Sequence, residues 1–162
     1  MEEAKRCAGF VLSSCVDRSG HLMRYWIEGG GPVKAGLEDY GLFASAPLAL
    51  HEVDPAAGWL DAAERLNGAM VDLFYDAEEG RFYDAGRGEE TLFIRERDMS
   101  GNDVPSGNSA AADLLFRMPP TSGGNRYREM SEGIMRTAQG MRDEPLSSGN
   151  FLCVLEDMLA AR

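Results

Sequence analysis

The sequence predicts a mainly α chain, an array of αα-hairpins in two layers with a small β-hairpin inserted. Three observations point there. Apolar residues return every three to four positions along six separate stretches. Strand-like alternation is confined to short runs. The stretches are joined by long connections rich in Gly and Pro, notably 17–36 and 76–107. Loops of that length do not belong in a compact bundle, whose connections are usually ~2–8 residues, so a curved array with its insertions gathered at one end is expected. The 162 residues suit a single domain, 1–162.

The elements follow in order. Ala4, Cys7/Ala8, Val11/Leu12 and Cys15 form the stripe of a first helix, which Asp17-Arg18-Ser19-Gly20 ends. His21–Trp26 alternates as a short strand, and Glu28-Gly29-Gly30-Gly31-Pro32 requires a loop. From Leu37 to Val53 a second helix begins with Glu38-Asp39, acidic groups placed where a helix N-terminus favours them, and Pro47 is expected to interrupt and kink it. Asp54-Pro55 reads as an N-cap with proline at the first helical position of a third helix, the most regular of the chain. Its face is Trp59/Leu60, Ala62/Ala63, Leu66, Ala69/Met70 and Leu73/Phe74. Runs 81–84 and 91–95 about Gly86-Arg87-Gly88 predict the β-hairpin. A fourth helix, capped by Asn108 or Ser109, runs through Met118 to Pro119-Pro120. A fifth carries Tyr127, Met130, Ile134/Met135, Ala138 and Met141, and a sixth Phe151/Leu152, Leu155 and Met158/Leu159.

Composition excludes several functions. The net charge is -11, from 27 acidic and 16 basic side chains, and no cluster of cations offers a nucleic-acid backbone a footing. No apolar run approaches the ~18 residues of a membrane span. The charged first residues and the short apolar stretch behind them do not read as a signal peptide, so a cytoplasmic location is expected. Cys7, Cys15 and Cys153 have neither an even count nor metal-ligand spacing, so reduced, partly buried thiols are expected, with no metal and no cofactor.

One resemblance is specific. Gly36-Leu37-Glu38-Asp39-Tyr40, Trp59-Leu60, Phe74-Tyr75-Asp76 with Glu79-Gly80-Arg81-Phe82-Tyr83, and Pro105-Ser106-Gly107-Asn108-Ser109 occur in that order. Together they resemble the C-terminal part of the thioredoxin-domain-bearing, spermatogenesis-associated protein family. The resemblance implies a toroid of six helical hairpins, similar to N-acylglucosamine 2-epimerases and six-hairpin glycosidases, of which this sequence would supply about three: a partial (α/α)6 toroid. Pro47 and the terse Met118-Pro119-Pro120 turn depart from the family pattern. The thioredoxin-like domain and the first half of the ring lie outside this sequence. An open ring exposes an apolar rim, so a homodimer or docking to an N-terminal partner is expected.

The resemblance also implies a carbohydrate-like small molecule at the concave face. Glu38 and Asp39 point about 100° apart on their helix, so at most one addresses a ligand, as general acid or base if it is catalytic; otherwise both serve the helix N-terminus. Arg24, Trp26, Tyr40, Arg95, Ser106 and Asn108 are the candidate ligand-binding residues. The arginines would hold a carboxylate of a ligand or of the protein itself, and the aromatics would stack on a sugar face or close the edge of the core. The Pro-Ser-Gly-Asn-Ser turn would offer free N–H groups to a ligand or serve as a plain N-cap with glycine for the turn. Ser106 has no Gly-x-Ser-x-Gly elbow and no histidine beside it, which argues against a nucleophile. His21 and His51 have no evident acid–base role, which weighs against epimerase chemistry. Three functions remain: ligand binding without catalysis by this chain alone, a glycoside-processing or sugar-isomerising enzyme using Glu38 or Asp39, and a helical protein-interaction scaffold.

Overall fold

The computed structural model describes residues 1–31, 33–88, 95–101, 103–138 and 143–161. Among the described residues six α-helices form: α1 (Glu2–Ser14), α2 (Leu37–Val53), α3 (Trp59–Phe74), α4 (Gly107–Arg117), α5 (Gly124–Thr137) and α6 (Gly149–Ala160). Two short strands, β1 (Tyr75–Asp76) and β2 (Arg81–Phe82), pair antiparallel with Tyr75 opposite Phe82. The mainly helical reading with a small β element therefore stands. No helix among the described residues is long and apolar enough to cross a membrane.

Local chemistry moved several boundaries. Asp54-Pro55 opens a separate 3-10 turn, Pro55–Ala57, and α3 starts only at Trp59 because Gly58 takes a left-handed conformation (φ 73°) between them. Pro47 does not interrupt α2, which runs continuously from Leu37 to Val53. The strand expected at 21–26 reduces to isolated bridges, Val16 with Leu22 and Met23 with Lys34. β2 pairs with β1, while most of the run expected as its partner, 91–95, lies outside the described residues. The chain does come back alongside, since Glu96 O accepts from Asp84 N–H at 3.0 Å. Ser106, rather than Asn108 or Ser109, caps α4, its Oγ accepting from Ser109 N–H at 3.2 Å. The fifth helix ends at Thr137, and Met141 lies outside the described residues. On α6 the buried stripe is Phe151, Val154 and Met158, while Leu152, Leu155 and Leu159 face outward. Of the cysteines, only Cys15 is buried; Cys7 and Cys153 are exposed, and all three are free.

Packing builds outward from α2 and α4. These two helices lie side by side and run in the same direction. Gly107 at the start of α4 sits against Glu38 at the start of α2, Gly41 against Ala110, and Arg117 pairs with Glu52 at the far end (3.0 Å). The approach is close because two glycines permit it: a Cβ on Gly41 would stand 2.9 Å from Ala110 Cβ, and one on Gly107 2.9 Å from the Glu38 nitrogen. α3 folds back along α2. α5 runs antiparallel to α4, where Ser131 Oγ donates to Ala112 O at 2.6 Å. α6 covers another side of α4. The core between them holds Tyr40, Leu48, Leu66, Met70, Phe74, Leu114, Leu115, Ile134 and Phe151. Burying each such side chain contributes about 1.5–3 kcal/mol. α1 touches α2 only lightly, with Val11 and Leu12 partly covered and a Lys5–Asp54 ion pair at 2.5 Å.

Candidate functional site

Because α2 and α4 start level with one another, both N-termini open on the same end of the molecule, and a cleft of about 310 Å³ lies there. Gly36, Leu37 and Glu38 form one wall, and Pro105, Ser106 and Gly107 another. The third wall is the returning chain, which brings Asp84, Glu96 and Asp98, and Arg24 stands at the edge. Four carboxylates thus border a single opening beside two helix N-termini, whose free N–H groups offset part of their mutual repulsion.

The acidic wall is strapped in place by backbone groups. Leu37 N–H donates to Asp84 O (3.2 Å), which ties the wall to the start of α2. Asp98 N–H donates to Asp84 Oδ2 at 2.5 Å, and Asn108 Nδ2 donates to Asp98 O at 3.2 Å, which ties it to α4. Asp84 is half-buried. That burial pushes its carboxyl above the usual carboxylate range; the Asp98 N–H bond opposes the rise, the charges of Asp98 and Glu96 add to it, and Arg97 opposes it. Arg97 is itself anchored, its guanidinium donating to Thr137 Oγ1 at 2.8 Å. Among the described residues no three His, Cys, Asp or Glu side chains are grouped so as to hold a metal ion.

The candidate residues from the sequence divide. Glu38, Arg24 and Ser106 line the cleft. Asp39 turns back onto its own helix start: its Oδ2 accepts from Gly36 N–H at 2.8 Å and lies 3.5 Å from Arg24 Nε, the N-terminal role that adjacency on a helix left open. Asn108 is 1% exposed and holds the acidic wall from beneath. Tyr40 is also 1% exposed; its hydroxyl accepts from Leu22 N–H at 2.7 Å and its ring meets Phe74 edge-on at 5.4 Å, so the cleft does not reach it. Trp26 lies outside the cleft, half-exposed, its ring edge-on to Phe10 at 5.9 Å. Arg95 lies over the Tyr83 ring at 4.3 Å and donates to Ala85 O at 2.9 Å, also away from the cleft lining.

No family model matches the chain. It is similar to spermatogenesis-associated protein 20. The identity to the human protein is 32% over 112 residues, 62% of this chain, and to the rat and mouse proteins 31% and 32% over 115 residues, 65% of this chain. The chain spans about one-seventh (14%) of the length of these relatives. The expected resemblance is met at the level of this similarity.

Asp84, Glu96 and Asp98 are the residues that sequence reasoning missed. Asp84 stood inside the quoted β-prone run, but nothing in the spacing of 84, 96 and 98 announces a shared wall. The available signal was indirect: Ser106 and Glu38 open two helices, and an acid-rich connection of about twenty residues leads from one strand run to the second of those helices.

Proposed function

We propose that this cleft binds a small, neutral, carbohydrate-like molecule and that the chain acts as a binding element, not as an enzyme by itself. The observation that carries the reading is the convergence of Glu38, Asp84, Glu96 and Asp98 with Ser106 and Arg24 on one opening. Carboxylates are acceptors only, and hydroxyl groups are the donors that suit them. Four negative charges repel an anionic ligand, and the volume lies at the small end of ligand pockets, which run from about 300 Å³. A titration of neutral methyl glycosides followed by amide NMR shifts tests this. Saturable shifts at Glu38, Asp98 and Gly107 that weaken about tenfold in Glu38→Gln support it. Absence of any saturable shift at tens of millimolar rejects it.

Asp84 favours a second reading, a glycoside-processing or sugar-isomerising enzyme. It would supply the second ionisable group that Glu38 needs, a half-buried carboxyl raised above its ordinary range and facing the same opening, as acid–base catalysis requires. Turnover of aryl glycosides that disappears in both Asp84→Asn and Glu38→Gln, with folding retained, would replace the binding reading with this one.

In this proposal the chain is one sector of a ring of hairpins belonging to a longer, cytoplasmic architecture. The parallel alignment of α2 and α4, each followed by an antiparallel partner, supports the ring, because a ring of hairpins repeats that unit. The stripe Leu152, Leu155 and Leu159 on α6 would then be covered by a second copy of the chain. Light scattering at micromolar concentration tests this, a clean monomer excluding it.

A further inference from the structure

A second, smaller cavity of about 160 Å³ lies beneath the segment that leads into α2, and its charged lining has the opposite sign. His21, Lys34 and Arg87 border it and, among the described residues, no Asp or Glu does, in a chain with 27 acids and only two lysines. Its remaining wall is apolar, with Leu22, Leu73 and Phe74 forming the floor.

We propose that this pocket binds a small monocarboxylate with a compact apolar body, the carboxylate held by Lys34, Arg87 and Tyr40 and the body seated on Leu73 and Phe74. Its volume is close to that of a cavity that holds one benzene ring. Tyr40 strengthens the assignment. Its hydroxyl accepts from Leu22 N–H, and among the described residues its own proton has no acceptor, so a donor remains for a ligand oxygen in a pocket the residue lines. Burial raises the phenol above its ordinary range, which keeps that proton in place. Arg87 gives one N–H to Tyr75 O, closing the end of α3, and leaves the other donors of its guanidinium fork. His21 offers an N–H in either protonation state.

Among the described residues the acids of the flanking turns form no ion pair with these cations, although the charge of Asp76 is felt by Arg87 and that of Asp17 by the Tyr40 hydroxyl. Asp17 is engaged by the N–H groups of Ser19 and His21 (2.8 and 2.9 Å), and Asp76 by those of Glu78 and Glu79 (2.9 and 3.1 Å). Among the described residues neither Lys34 nor His21 forms an ion pair with the chain's own carboxylates. An inorganic anion would use the cations but leave the apolar floor unmatched, and for that reason the body of the ligand is part of the assignment.

The test titrates benzoate into the isotope-labelled full chain, with benzamide and inorganic phosphate as comparators. Saturable benzoate shifts at Leu22, Ala35 and Gly86 are expected, weakened about tenfold in Lys34→Gln and further in Lys34→Gln/Arg87→Gln. Benzamide and phosphate are each expected to bind at least about tenfold more weakly, the one lacking the charge and the other the apolar body. Benzoate binding unchanged in Lys34→Gln overturns the proposal, as do equal affinities for benzamide, equal affinities for phosphate, or shifts that map elsewhere. Lys34 is exposed, so its single replacement is expected to keep the fold, which circular dichroism checks, and the test stands even if the double variant does not fold.

Discussion

The acidic cleft and the basic pocket share one stretch of chain and use it differently. Gly36, Leu37 and Glu38 face the cleft, while Lys34, Ala35 and Tyr40 line the pocket. On the other side Asp84 belongs to the first and Gly86-Arg87 to the second. Two positions of chain are enough to reverse the sign of the lining. The walls also differ in origin: the cleft is bounded by two helix starts and a loop strapped to them by backbone hydrogen bonds, whereas the pocket has the floor of the hydrophobic core beneath it. Polarity in one therefore depends on backbone geometry, and shape in the other depends on side-chain packing.

That contrast predicts where each breaks. Phe74→Ala should have the largest effect, about 3–5 kcal/mol lost in chemical denaturation, because a fully buried ring that meets Tyr40 is removed. It should abolish the pocket's shape while leaving the cleft's amide pattern recognisable in any population that remains folded. Gly107→Ala comes next, at about 1–3 kcal/mol, since the added Cβ meets the Glu38 nitrogen and Leu37 with no room to yield. Its spectral changes should centre on the cleft. A Gly107→Ala protein as stable as the parent would show that the two helix starts are not locked together.

Asp84→Asn should act in the opposite direction and more mildly. Because the Asp84 carboxyl is raised in the folded chain, folding there holds its proton more tightly than the unfolded chain does, and stability falls as pH rises above the ordinary value of 3.8. The asparagine variant should therefore melt at a higher temperature than the parent at pH 7 and at the same temperature below that value. Equal melting temperatures across the whole range would remove the argument that burial strains this charge.

The helices were legible because each needs only its own periodicity. α3 shows this best: Ala62, Ala63, Leu66, Met70 and Phe74 were expected on one face and all are buried. On α6 Phe151 and Met158 are buried as expected, but Val154 rather than Leu155 lies between them, since Leu152, Leu155 and Leu159 are as greasy as the residues beside them and only the packing against α4 selects among them. The candidate site was legible where a residue's role is local. Glu38 and Asp39 were known to diverge, and they do; the Ser106 turn was placed at a helix start, and it is there. Tyr40 misled because an aromatic near a loop looks the same in sequence whether it faces a ligand or the core. The acidic wall was invisible because it arises from the return of 95–98 past Asp84, a tertiary event without a local pattern.

The glycine seam between α2 and α4 has a mechanical consequence. Where a glycine of one helix meets the backbone and short or well-packed side chains of the other, little rotamer freedom cushions the contact, so the paired helices should move as one stiff plate. A guest in the cleft meets a fixed bed on that side, and whatever accommodation it demands must come from the acid-bearing strap opposite.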